Sequence, residues 1–138
     1  MAELHIKTEC REGLIDITPE IEKILTKISK RDGFLLILSK HTTASIIINE
    51  GEEGLKRDIM LSLSGIVPKG KYEHNRIDSN AEAHIKSAII GAEKLVPVKK
   101  GKMELGTWQR IMLAEFDGPR ERTISINFIP AKGGRNAK

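Results

Sequence analysis

The sequence is short of sulfur, aromatics and long apolar runs: its 138 residues contain one cysteine, one tryptophan, one tyrosine and three phenylalanines. A lone cysteine, Cys10, excludes an internal disulfide and a cysteine-only metal site. With nothing near it in sequence to lower its pKa, Cys10 reads as a small buried hydrophobe on a strand. Aromatic residues make up 4% of the chain and none falls among the basic runs, so the stacking platform of a nucleic-acid binder is missing despite a net charge of +4. That charge suits anionic ligands in general. The longest apolar runs, 34–38 and 46–48, fall far short of the roughly 20 residues that cross a bilayer. Met1-Ala-Glu-Leu-His-Ile is not a basic start followed by an apolar stretch, so no secretory signal is read and a cytoplasmic location is expected. What is present, 39% hydrophobic and 30% charged residues, is the composition of a globular chain with one core.

The alternation of Leu4, Ile6, Thr8 and Cys10 with charged or polar neighbours predicts a half-buried strand, continued beyond Gly13 by Ile15 and Ile17. Thr18 as N-cap and Pro19 at the first helical position open a helix whose Ile21, Ile24, Leu25 and Ile28 share one face, ending by Gly33. Segments 34–38 and 43–49 read as a pair of buried strands, followed by a helix over about 52–63. The aperiodic stretch 66–78 reads as a long exposed loop carrying His74. Ser79 and Glu82 form a capping box for a third helix with Ala81, Ile85, Ala88, Ile89 and Ala92 as its apolar stripe and Asn80, His84, Ser87 and Gly91 on the other. Strands are then expected over 95–98, 107–116 and 123–128, the last two joined by a turn at Asp117-Gly118-Pro119-Arg120. The expectation is a β-rich α+β single domain over 1–130, an antiparallel sheet or sandwich covered by about three short helices, with a loose basic tail over 131–138.

Three of the four histidines, His41, His74 and His84, stand in polar settings at element ends, whereas His5 reads as a solvated edge residue. Three imidazoles with an open fourth position are what a catalytic divalent-metal site uses, of Zn or Mg type; three unrelated surface histidines are the alternative. Asn49 and Glu50 follow a buried strand and Asp117 ends another, places where rigid supports present functional groups and where residues also cap turns. Glu115, slightly earlier on its strand, is expected to point to the face opposite Asp117. In Gly106-Thr107-Trp108-Gln109, the glycine lets a backbone N–H approach an anion, Thr107 and Gln109 can donate to a ligand, and Trp108 is either part of that site or a core anchor. Arg120 and Arg122 could clamp a phosphate or simply be solvated.

His41-Thr-Thr-Ala-Ser-Ile, Asn49-Glu50, His74-Asn75, Asn80 with Ala83-His84-Ile-Lys-Ser-Ala, Gly106-Thr-Trp-Gln109 and Asp117-Gly-Pro-Arg120 together resemble the YjbQ family, in its motif order and over roughly residues 4 to 130. Its members are named for secondary thiamine-phosphate synthase activity. The resemblance implies a compact α+β homotrimer with polar pockets near subunit contacts. It also implies that His41, His74 and His84 are site residues, with Asn49, Asn80, Thr107, Gln109 and Asp117 nearby. The implied reaction joins an aminopyrimidine methyl diphosphate to a thiazole phosphate and releases pyrophosphate, with Arg120 and the Gly106–Thr107 backbone as candidates to neutralise the anion. Two other readings stand beside it. One is a metal-dependent hydrolase of small phosphate esters or amides with Asp117 or Glu50 as base; the other is a non-catalytic trimer that binds a metabolite.

Overall fold

A computed structural model describes residues 1–132; the expected tail beyond that point lies outside the described residues. Eight strands run as β1 (Ala2–Lys7), β2 (Gly13–Asp16), β3 (Gly33–Ser39), β4 (Ala44–Asn49), β5 (Glu93–Lys99), β6 (Lys102–Met103), β7 (Arg110–Glu115) and β8 (Glu121–Pro130). Three helices, α1 (Thr18–Ile28), α2 (Glu53–Ile66) and α3 (Ala81–Ile90), and a single 3-10 turn, Glu73–Arg76, complete the α+β domain. All strand pairs are antiparallel, in a five-stranded sheet ordered β1-β8-β3-β5-β6 and a three-stranded sheet ordered β2-β7-β4. No helix among the described residues is long and apolar enough to cross a membrane.

The two sheets face each other across one apolar layer. Ile17, Ile21 and Leu25 of the α1 segment pack there with Leu35 and Ile37 of β3, Ile46 of β4, Ile111 and Leu113 of β7, and Ile124 and Ile126 of β8. The other face of the small sheet, Leu14, Met112 and Ala114, packs with Leu63 of α2, Ala83 of α3 and Phe116. Side chains alternate along a strand, so covering both faces leaves β7 buried along nearly its whole length. Burying a Leu- or Ile-sized side chain stabilises by about 1.5–3 kcal/mol, and β7 places such side chains in both layers.

Several local expectations are corrected. The strands over 34–38 and 43–49 do not pair: β3 lies between β5 and β8, β4 beside β7, and the loop of residues 40–43 carries the chain from one sheet to the other. Both segments are apolar enough for a central position, and apolarity alone does not specify a partner. Cys10 is exposed, because β1 ends at Lys7 and the chain bends away before β2. The long segment after α2 is interrupted by the 3-10 turn that bears His74. The capping box at Ser79 does not form; Asn80 is the N-cap position, and Asn75 Oδ1 accepts the Ala81 N–H at 3.1 Å instead. Ala88 and Ile89 of the expected apolar stripe are exposed, whereas Asn80, Ala83 and Ser87 face inward. That face is small and polar because Ser87 meets β4 through hydroxyls: Ser45 Oγ donates to Ser87 O at 3.0 Å, and Ser87 Oγ to Ala44 O at 3.2 Å.

Candidate functional site

Strand β7 carries side chains of one parity toward the opposing sheet, and Glu115 continues the parity of Ile111 and Leu113. On β8, Arg122 shares the parity of Ile124 and Ile126, so the two charged groups meet where the apolar layer ends. Both are almost fully buried, at 1% and 2% exposure. Arg122 Nε donates to Glu115 Oε1 at 2.8 Å, and its Nη2 reaches Glu115 Oε2 and Thr43 Oγ1, the latter at 2.9 Å. Thr8 Oγ1 donates to Glu115 Oε1 at 2.7 Å. Burial alone would raise the Glu115 pKa, but hydrogen bonds from Arg122, Thr8 and the Asp117 N–H, with the Arg122 charge, hold it below the usual range.

The carboxylate of Glu115 also positions the site. Its Oε2 accepts the Asp117 N–H at 3.1 Å, which ties the turn after β7 to the buried pair, while the two carboxylates meet different partners. Asp117 in turn accepts Asn80 Nδ2 and Arg120 Nη2 on Oδ2, at 2.8 and 2.7 Å. An ionised carboxylate can only accept, so Asn80 must present its NH2 to Asp117 and its carbonyl to the other side. There His74 Nε2 lies 3.0 Å from Asn80 Oδ1. The acceptor fixes the tautomer: His74 carries its proton on Nε2 and keeps a lone pair on Nδ1. His84, one helical turn beyond Asn80 on α3, meets His74 edge to face with ring centroids 4.6 Å apart. Because Asn75 caps α3, the Asn80 side chain is free for this role.

Asp117 is 7% exposed, and burial would raise its pKa; the Asn80 and Arg120 hydrogen bonds and the charges of Arg120 and Arg11 outweigh that and hold it low. His41, on the crossing loop, accepts the Thr123 N–H on Nε2 at 2.8 Å, so its neutral form is protonated on Nδ1. Burial, then the Arg122, Arg120 and Lys40 charges, depress its pKa below the ordinary 6.5, with Glu115 opposing. At neutral pH this histidine is uncharged.

The remaining sequence candidates lie at the far end of the small sheet. Asn49 pairs with Arg110 in the register that pairs Ala44 with Glu115, so the two ends of β7 are about 17 Å apart along the strand. Glu50 and Thr107 line an open cavity of about 540 Å³ there, together with Asp16, Glu52, Trp108 and Arg110. Asn49 Oδ1 accepts the Glu50 N–H at 2.8 Å, a local turn contact. Trp108 is 72% exposed and not a core anchor, because the turn closed by Gln109 N–H to Gly106 O (3.0 Å) projects it past the start of β7. The Gly106 N–H is donated to Gln109 Oε1 at 2.8 Å, and Arg120 is tied to Asp117 through Nε and Nη2 while its side chain stays half exposed.

Metal ligation by the histidine trio does not close within one chain. The lone pair on His41 Nε2 that a metal would need is occupied by the Thr123 N–H, and His74 Nε2 faces Asn80. Among the described residues no group of three or more His, Cys, Asp or Glu side chains is gathered for a metal. His74 Nδ1 and the His84 ring are the two imidazole donors left together, one short of a typical catalytic set. Thr8, Thr43, Asn75, Arg11 and the buried role of Arg122 were missed by the sequence reading. The Arg122 position was accessible from strand parity with Ile124 and Ile126.

A family model described as UPF0047 protein YjbQ-like matches residues 2–131 of this chain. A UPF0047 protein of Archaeoglobus fulgidus is 48% identical over 92% of this chain and 99% of its own length. The UPF0047 protein YugU of Bacillus subtilis is 40% identical over 91% and 96%. Among solved structures, a YbjQ-like protein of unknown function from Sulfolobus solfataricus superposes with a TM-score of 0.91 at 39% identity, covering 94% of this chain and 96% of that one. A hypothetical protein from Aeropyrum pernix gives 0.90 at 38%, covering 94% and 98%.

Proposed function

The chain belongs to the YjbQ-like UPF0047 family, and from that premise we propose that it is an enzyme of phosphorylated small molecules, carrying out a thiamine-phosphate-synthase-like condensation. In that reaction the thiazole nitrogen attacks the methylene of an aminopyrimidine methyl diphosphate, a C–N bond forms, and the C–O bond breaks with its electron pair leaving on pyrophosphate. The observation that carries the reading is the series Asp117–Asn80–His74, which holds one imidazole in a single tautomer with a free Nδ1. A positioned imidazole of this kind, once Nδ1 has taken a proton from solvent, can hand that proton to a departing oxygen and return to its neutral form, a contribution of about 10²–10⁴-fold in rate. His84 borders the same space.

The Thr107–Gln109 end of β7 is too distant to serve the same small molecule within one chain. The resemblance implies a homotrimer with polar pockets near subunit contacts, so the two ends could serve one molecule only between copies. A divalent ion, if one is used, would draw its third ligand from substrate or from such a neighbour.

The test is turnover by the full chain with an aminopyrimidine methyl diphosphate and a thiazole phosphate, followed by ³¹P NMR. Pyrophosphate release that falls on replacing His74 or Asn80 by Ala supports the reading. Orthophosphate release from simple phosphate esters would favour the hydrolase, and saturable binding with no turnover a metabolite-binding protein; either result sinks the condensation.

A further inference from the structure

The Gly106 N–H and the Nε and Nη2 groups of Arg120 already have acceptors in the fold, and a phosphorylated substrate calls for further cations near Asp117. Between the turn preceding β2, the C-terminal end of α2 and the first turns of α3 lies a cavity of about 410 Å³ lined by Arg11, Glu12, Ser64, Lys69, Glu82 and Lys86. We propose that this cavity is the phosphoryl-binding subsite, taking the doubly charged phosphate or diphosphate end of the substrate; this inference rests on the reading of the site as one for phosphorylated molecules.

Lys86 is the anchor. Lysine is seldom this deeply placed, at 3% exposure, without ligands for its ammonium. Its Nζ has two side-chain acceptors, Glu12 Oε1 at 2.9 Å and Ser64 Oγ at 3.2 Å, for three N–H donors. The third donor has the cavity before it. Arg11, Lys69 and Lys86 outnumber Glu12 and Glu82 in the lining, so the cavity carries an excess positive charge, with Arg11 also in the field of Asp117. The Arg11 side chain is 63% exposed, and its nearest carboxylate, Asp117 Oδ1, is 3.7 Å away, too far for a hydrogen bond. Lys69 is exposed and has no carboxylate within salt-bridge reach among the described residues. A planar guanidinium and two ammonium groups around one cavity match a tetrahedral oxyanion better than a single carboxylate does.

The cavity is also joined to the acid–base series. Gly118 N–H donates to Arg11 O at 2.8 Å, so the turn bearing Asp117 and the residue bearing the guanidinium are held together by backbone. A phosphoryl group against Arg11 and Lys86 directs the rest of its molecule toward Asp117, Asn80 and His74.

The experiment is titration of the full chain with inorganic phosphate and with pyrophosphate at fixed ionic strength, followed by calorimetry and by ¹H–¹⁵N chemical shifts. The largest shifts are expected at Arg11, Ser64, Lys69 and Lys86, with pyrophosphate binding more tightly than phosphate and acetate much more weakly. Arg11→Gln with Lys69→Gln, both surface changes that spare the fold, should weaken pyrophosphate binding roughly tenfold or more, and Glu22→Gln, on the exposed surface of α1, should leave it no weaker. Ser64→Ala gives a milder loss and covers the case in which Lys86→Gln fails to fold. Undiminished binding in the Arg11/Lys69 pair, with loss on Arg120→Gln, would overturn this subsite while leaving the proposed reaction standing. No binding of either anion to the native chain would overturn both. Binding here without turnover would keep the subsite and discard the reaction.

Discussion

Replacing Arg122 by Met removes one half of an ion pair that sits where the apolar layer ends. Glu115 accepts four donors in the native fold: Arg122 Nε, Arg122 Nη2, Thr8 Oγ1 and the Asp117 N–H. The substitution leaves two of them, strips the partner from Thr43 Oγ1 and strands a carboxylate that is 1% exposed. Breaking a buried pair from one side costs about 3–5 kcal/mol, which for a domain of this size lowers Tm by about 10–20 °C. Glu115→Leu alone also destabilises, since it leaves Arg122 unpaired and the Thr8 hydroxyl without its acceptor. The double variant should recover about 2–3 kcal/mol relative to the sum of the two single changes. Urea unfolding of the four proteins at one concentration measures this cycle. NMR titration adds a local readout: losing the Arg122 charge should move the His41 pKa up toward its ordinary value. A cost below about 1 kcal/mol for Arg122→Met, or additivity within about 0.5 kcal/mol, would refute the account of Glu115 and Arg122 as a dry, coupled pair.

Asn80→Ala should lower turnover by about 10–100-fold while changing KM little, and ¹⁵N shifts of His74 should lose their fixed Nε2–H pattern; an unchanged tautomer would separate Asn80 from the site. Stability should fall as pH drops below 6.5, because unfolded His41 takes up its proton before the native, depressed one does, and His41→Gln should flatten that arm of a pH–Tm curve. A second loss is expected below the usual carboxylate range, as Glu115, Asp117 and Asp16, all held low in the fold, become protonated more easily in the unfolded chain. Trp108→Ala should change stability by no more than about 0.5 kcal/mol, and Trp108 fluorescence should be red-shifted and open to iodide quenching; a blue, protected emission at dilution would mean that a second copy covers it.

The α+β class and most element positions were legible because they follow from short-range periodicity. The alternation through Leu4 and Ile6 is set by near neighbours; the helix starts one residue earlier than expected, with Ile17 and not Thr18 at the N-cap position and the Thr18 hydroxyl bonded to Ile111 of β7. What failed depended on distant partners. Nothing in the apolar run of β3 says that its neighbours are β5 and β8 and not β4. On α3 the buried stripe contains Asn80 and Ser87 because β4 offers Ser45 and the turn after β7 offers Asp117, matches invisible in a helical projection. The histidines His74 and His84 were legible as a pair, since a short turn and one helical turn separate them. Their union with Asn49, Glu50, Thr107 and Gln109 was not, because one straight strand keeps those groups apart. The cations Arg11 and Lys86 lie in otherwise ordinary surface-like sequence, and only folding buries one and leaves the other facing a cavity.

Strand β7, sealed on both faces and hydrogen-bonded on both edges, has no route for solvent to reach its amides short of opening the whole domain. Deuterium should therefore enter it last. The chemistry proposed at one end and the open cavity at the other hang from the slowest-exchanging backbone in the protein, so a ligand that loosens either end must do so by moving loops around a fixed rod, not by bending the rod itself.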